Sequence, residues 1–144
     1  MMRILTHLGG ARVTLGAALA FMAAGGDARQ VGLAALVANA ASHLAVQVLK
    51  RLVARARPCD ASGRPLALVD LPDPYSFPSG HAAAATAVAV SVTIAHPWAG
   101  VVLLPRAAVV SISRVTLRVH HAGDVVAGIL LGLLGAVGAY AILS

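Results

Sequence analysis

Three short clusters hold nearly all the side chains of this 144-residue chain that could do chemistry. The first is Lys50-Arg51-Leu52-Val53-Ala54-Arg55-Ala56-Arg57-Pro58. A helix running past Leu49 would stack Lys50 and Arg57, about two turns apart, on one face. Pro58 then releases the chain into a loop. Taken alone, such a cluster also reads as a basic patch on anionic lipid beside a membrane helix. The second is Ser76-Phe77-Pro78-Ser79-Gly80-His81, followed at once by an alanine-rich run. Pro78 and Ser79 are helix-start residues, and a helix N-terminus offers free amides and a positive dipole end to an anion. Gly80 lets an anion approach the backbone, Ser79 adds a hydroxyl donor, and His81 falls in the first turn. The plainer alternative is a capped helix start with an interfacial histidine. The third runs from Ser113-Arg114 through His120 to Asp124. In a helical turn Asp124, four residues on, reaches one nitrogen of His120, fixes its tautomer and leaves the other lone pair exposed as a nucleophile or base. Arg114 is an always-charged fork suited to phosphoryl oxygens. Here too the alternative is a helix junction whose charges face water.

Composition says what must position these clusters. Hydrophobic residues make up 59% of the chain, charged residues only 11%, and mean hydropathy is +0.86, which excludes an ordinary soluble domain. Alanine (32 residues) and glycine (14) together make up about a third of the chain, while aromatics are 3%, so helices can approach closely in lipid. The expectation is an integral membrane protein of a single domain over 1–144, with no cleavable signal peptide in Met1–Thr14. One cysteine, Cys59, excludes a disulfide framework and a Cys-based zinc site. The net charge of +6 in so apolar a chain points to anionic headgroups, a phosphate-bearing substrate or topology signals rather than nucleic acid.

Five apolar stretches are predicted: Gly10–Ala24, Val31–Leu49, Gly80–Ala95, Trp98–Leu117 and Asp124–Leu143. The second has 19 uncharged residues, enough for about 30 Å. Between the second and third, five of the seven prolines (Pro58, Pro65, Pro72, Pro74 and Pro78) enforce a long loop. The fold class is thus all-α, a multi-pass bundle of about five spanning helices, with all three clusters at one membrane face.

In order, the clusters spell Lys-x6-Arg-Pro, Pro-Ser-Gly-His and Ser-Arg-x5-His-x3-Asp. The chain therefore resembles the type 2 phosphatidic acid phosphatase superfamily, which includes lipid phosphate phosphatases and vanadium haloperoxidases. It departs from many members in having five rather than six apolar stretches, and in framing His120 with Arg118-Val119 and His121-Ala122. The resemblance implies hydrolysis of a lipid phosphate or pyrophosphate through a phosphohistidine. His120 would attack phosphorus, oriented by Asp124, and His81 would serve as acid and then base. Lys50, Arg57, Arg114, Ser79 and Gly80 would hold the phosphate oxygens. No metal or other cofactor is expected, since three cations supply the charge. The partners expected are a lipid phosphate substrate and membrane lipids. A haloperoxidase, or a transporter or scaffold that inherited the fold, is the alternative.

Other polar residues receive plain roles. His43 reads as a helix-contact residue bonded across the bundle, His121 as interfacial, and His7 as solvent-side or interfacial. Asp60, Asp70 and Asp73 read as solvated loop carboxylates. With five crossings, Arg3, Arg12, Lys50, Arg51, Arg55, Arg57, Arg64, Arg114 and Arg118 share the site side, against Arg29 on the other. Positive charge collects on the cytoplasmic side of membrane proteins, which puts the site there.

Overall fold

Where the sequence is aliphatic and uninterrupted the chain is helical, and where prolines cluster it is not. The computed structural model describes residues 11–23, 25–71 and 73–143. Arg3, His7, Gly10, Ala24 and Pro72 lie outside the described residues. The helices are α1 (Ala11–Ala23), α2 (Gly26–Val53), α3 (Gly80–Ala95), α4 (Pro97–Thr116) and α5 (Ala122–Leu143). Among the described residues extended pairing is limited to two isolated bridges, Ala56 with Tyr75 and Cys59 with Pro65. The protein is an all-α membrane bundle. Three helices, α2, α4 and α5, are long and apolar enough to cross a bilayer, whereas α1 and α3 are shorter apolar helices. Pro105 is accommodated inside a continuous α4 rather than dividing it.

The outer surface of the bundle is rich in large apolar side chains, as expected where lipid replaces water. Leu44, Leu52, Val101, Ile112, Leu134 and Ile142 are all exposed on its outside, while the interior is built largely of alanine, with Ala38, Ala87, Ala136 and Ala139 in one cluster. Helix α3 packs against α2, α4 and α5. Its contact with α5 is close because α5 presents glycines. A Cβ at Gly128 would lie 2.4 Å from the Ser79 carbonyl oxygen, and one at Gly132 would lie 2.4 Å from that of Ala83. Neither backbone oxygen can yield without moving α3, so the glycines set how near the start of α3 sits to the start of α5.

Helix α2 ends at Val53, where Ala54 adopts the left-handed conformation (φ 46°) and its amide bonds back to the Lys50 carbonyl. The chain then doubles back instead of continuing helically. The Ser76 amide donates to the Arg55 carbonyl (2.8 Å), and its hydroxyl donates to the Ala56 carbonyl (2.9 Å). The Leu68 amide donates to Leu117 (3.1 Å), which ties the loop to the end of α4. These bonds gather the C-terminal ends of α2 and α4, the N-terminal ends of α3 and α5, and the loop between α2 and α3 at one end of the bundle.

Candidate active site

At that end a cavity of about 380 Å³ is lined by Lys50, Arg57, Asp73, Gly80, His81, Arg114 and His120. It continues inward between α1, α2 and α3, past Gln47, Val46, His43, Ala40 and Asn39 of α2, Leu15 of α1 and Ala84 of α3. Six of the eight sequence-predicted site residues therefore share one cavity. Ser79 and Asp124, both wholly buried beside it, are not among its lining residues.

His120 lies in the turn between α4 and α5, only 3% exposed. Its Nδ1 is 2.6 Å from the Ser76 carbonyl oxygen. A carbonyl can only accept, so Nδ1 carries the proton and Nε2 keeps its lone pair. Burial, with the charges of Arg57 and then Arg114, lowers the His120 pKa to about 3, against the opposing pull of the Ser76 bond and Asp124. The imidazole is neutral at physiological pH, the state a nucleophile requires.

Here the structure corrects the sequence. Asp124 does not hydrogen-bond His120, whose Nδ1 is 3.9 Å from the nearer carboxylate oxygen. Helix α5 starts only at Ala122, so His120 and Asp124 are not on a common helical turn. As the third helical residue, Asp124 instead accepts the backbone N–H of His121 (2.8 Å), the return half of a capping box. It is also 3.2 Å from the His121 ring and accepts a hydrogen bond from Arg55 (2.9 Å). His121 is thus bound to the site's carboxylate rather than merely interfacial. Arg55, which the sequence offered only as part of a basic patch, closes over a carboxylate that is itself fully buried. The backbone carbonyl of Asp124 accepts the Ser79 amide (2.9 Å), so α5 also fixes the start of α3.

A second correction concerns Lys50 and Arg57. They do meet, but across a chain reversal rather than along a helix face, and what joins them is Asp73. Lys50 Nζ donates to Asp73 (2.6 Å) and the Tyr75 carbonyl (3.4 Å). Arg57 donates to the carbonyl and carboxylate of Asp73 (2.9 and 3.2 Å) and to the Val119 carbonyl (2.8 Å). Among the described residues, one of the three ammonium hydrogens and two of the five guanidinium hydrogens stay uncommitted, enough to bind an oxyanion. Burial pushes Asp73 up, but the hydrogen bond and charge of Lys50, the charge of Arg57 and the Tyr75 amide outweigh it, and its pKa ends below the ordinary value. Asp73 is therefore an ionised structural bridge, not a solvated loop residue. Asp60 is an exposed loop carboxylate, as expected, and accepts from the amides of Ser62 and Arg64.

Around these groups, Gly80 and His81 open α3, whose first-turn amides have no acceptor within the helix. Ser79 makes no side-chain cap, and its buried hydroxyl has no hydrogen-bond partner among the described residues. Arg114 sits buried in the last turn of α4, while Ser113 bonds back to Val110 of the same helix. His43 does not reach across the bundle; its ring is 3.3 Å from the Gln47 amide nitrogen on the same helix, and both line the cavity.

A neutral, oriented imidazole facing guanidinium and ammonium groups can attack an electrophilic phosphorus. The model of the PAP2 superfamily matches residues 31–144, which include all three clusters. The chain belongs to the PAP2 superfamily. Over 105 residues it is 33% identical to undecaprenyl-diphosphatase of Sulfolobus acidocaldarius, covering 72% of this chain and 51% of that protein. Over 102 residues it is 41% identical to decaprenylphosphoryl-5-phosphoribose phosphatase of Mycobacterium tuberculosis, covering 67% and 54%. The chain thus spans about half the length of the curated relatives it matches. Among solved structures it resembles a transmembrane PAP2 type phosphatidylglycerolphosphate phosphatase from Bacillus subtilis, with a TM-score of 0.78 and 28% identity over 98% of this chain and 74% of that one. These PAP2 relatives support a membrane location, in agreement with its three helices long and apolar enough to span one.

Proposed function

We propose that this chain is a membrane phosphatase that hydrolyses a phosphate ester or anhydride of a lipid through a phosphohistidine on His120. The observation that carries this is the His120 ring itself, neutral, proton on Nδ1, with Nε2 left to act in a cavity walled by Lys50, Arg57 and Arg114. In the first step a bond forms from His120 Nε2 to phosphorus while the bond to the leaving oxygen breaks, and His81 gives that oxygen its proton. In the second, water gives a proton to His81 and attacks phosphorus, the N–P bond breaks, and phosphate leaves. Lys50, Arg57, Arg114, the Ser79 hydroxyl and the Gly80 amide stabilise the equatorial oxygens. Asp124 acts through the backbone it caps and through its charge near His120. The relatives' names span a prenyl diphosphate and a prenyl-linked phosphoribose, which supports a lipid-borne phosphate as the substrate class.

Phosphate release by the purified protein from phosphatidic acid, phosphatidylglycerophosphate, undecaprenyl phosphate and undecaprenyl diphosphate tests this. Activity on at least one of them, surviving EDTA and inhibited by vanadate, is expected. No release from any of them, or loss in EDTA restored by magnesium, contradicts it. We place the site on the cytoplasmic face, because Arg51, Arg64 and Arg118 flank it while Arg29 stands at the opposite end. Exposed Cys59, in the site-side loop, reports this. A membrane-impermeant maleimide should label it in inverted vesicles and not in intact cells, and the opposite pattern reverses the assignment.

A further inference from the structure

The cavity is deeper than a phosphate needs, and its mostly apolar inner wall carries three polar side chains. Asn39, His43 and Gln47 recur every fourth residue on α2, on the face that ends in Lys50. At 1.5 Å per residue they lie about 16, 10 and 4 Å along the helix inward from Lys50. Amide and imidazole groups within a membrane-spanning helix are costly and are retained where they line a functional path. The fold does not explain the outer two. Asn39 is buried and donates to Thr14 Oγ1 of α1 (3.2 Å), which closes the inner end. Among the described residues His43 and Gln47 bond only to each other, stay exposed, and face the cavity. Ser42, by contrast, turns its hydroxyl onto its own backbone at Asn39 and leaves the cavity alone.

We infer that His43 and Gln47, with Asn39 behind them, form a subsite for a hydroxyl-bearing spacer, a polyol or a sugar, between the scissile phosphate and the hydrocarbon chain. This rests on the phosphatase activity proposed above. With its Nε2 accepting from the Gln47 amide, His43 keeps an Nδ1–H donor, while Gln47 keeps a carbonyl acceptor and a second N–H, so the pair offers donors and an acceptor to a hydroxyl, which is itself both. A phosphate joined directly to a prenyl chain would instead lay hydrocarbon against these groups and strip them of water without repayment. A spacer carries its first hydroxyl on the carbon next to the phosphate ester, level with Gln47. The apolar remainder, Leu15, Ala40, Val46 and Ala84, accommodates the carbon skeleton. His43 and Gln47 thus read the group that carries the phosphate, whereas the cations read the phosphate itself.

The test compares kcat/KM of the purified full chain on phosphatidylglycerophosphate, whose spacer has a free hydroxyl, with that on undecaprenyl phosphate, which has no spacer. The wild type should prefer the first by about ten-fold or more, the worth of one or two neutral hydrogen bonds. His43→Leu combined with Gln47→Leu should collapse that ratio towards one, and His43→Gln, which keeps a donor and an acceptor, should preserve it. A wild type that cleaves both lipids without preference, or a preference that survives the double leucine variant, overturns the subsite while leaving the phosphatase activity standing. Release from neither lipid overturns the subsite, and it overturns the phosphatase reading as well if phosphatidic acid and undecaprenyl diphosphate also stay intact.

Discussion

Asp73 and Asp124 each bind cations from the last turn of α2 or the chain just beyond it, yet they do so from opposite settings. Asp124 is wholly buried, fixed as the third residue of α5, and bound by Arg55 and by the amide and ring of His121. Asp73 belongs to an irregular loop, its side chain 31% exposed, and it joins Lys50 to Arg57 in the cavity wall. A buried charge must be satisfied by hydrogen bonds, so Asp124 cannot be removed or left without donors cheaply. A half-exposed one is partly served by water, so its pairing counts for less. The two carboxylates therefore control different things. Asp124 holds the backbone that carries His120 and the start of α3, and Asp73 holds the spacing of the cations.

The comparison breaks or sharpens with substitution. Asp124→Ala should have the largest effect, a fall in kcat of about 10²–10³-fold together with a lower unfolding temperature in detergent, because a capping bond and a buried partner vanish at once. Near-normal turnover would reduce Asp124 to a helix cap. Asp73→Asn should lower kcat/KM by roughly ten-fold with little change in unfolding temperature, as the cations lose their template. A gain in activity would instead show that Asp73 competes with substrate for Lys50 and Arg57. Acidification should do less to the site. Between about pH 7 and pH 5 the His120 ring should remain neutral by nitrogen NMR, because its folded pKa is about 3. Over the same range stability should decline, since the unfolded chain takes up a proton near 6.5 that folded His120 refuses, and His120→Gln should flatten that decline. Arg55→Gln should be mildest, a few-fold in kcat, as Arg55 is 44% exposed and its amide replacement can still donate to Asp124.

The sequence revealed the bundle and most of the cavity for physical reasons that can be named. Uncharged runs long enough to span, the proline-dense interval and the Pro-Ser-Gly-His helix start are local signals, and α2 to α5 lie within a few residues of where those signals put them. Spacing arguments failed where the chain leaves regular structure. Lys50 and Arg57 were read along one helix, but Ala54 turns left-handed between them. His120 and Asp124 were read on one turn, but the helix begins at Ala122. Partners distant in sequence left no periodic trace, which is why the Ser76 carbonyl under His120 and the Asp73 bridge went unseen. Asp73 had one available signal, as one of only five carboxylates in a basic chain and a neighbour of the Ser76 cluster. The repeat of Asn39, His43 and Gln47 was visible at helical spacing, yet only the cavity shows which way it faces.

The most direct test of the central claim is to trap the phosphoenzyme. His81→Ala, able to be phosphorylated but slow to release phosphate, would be mixed with phosphorus-labelled lipid substrate, quenched in alkaline detergent and mapped by peptide. The account predicts a base-stable, acid-labile label on His120 that disappears in the His81→Ala, His120→Ala double variant. Label on another residue, or wild-type turnover by His120→Ala, would contradict it.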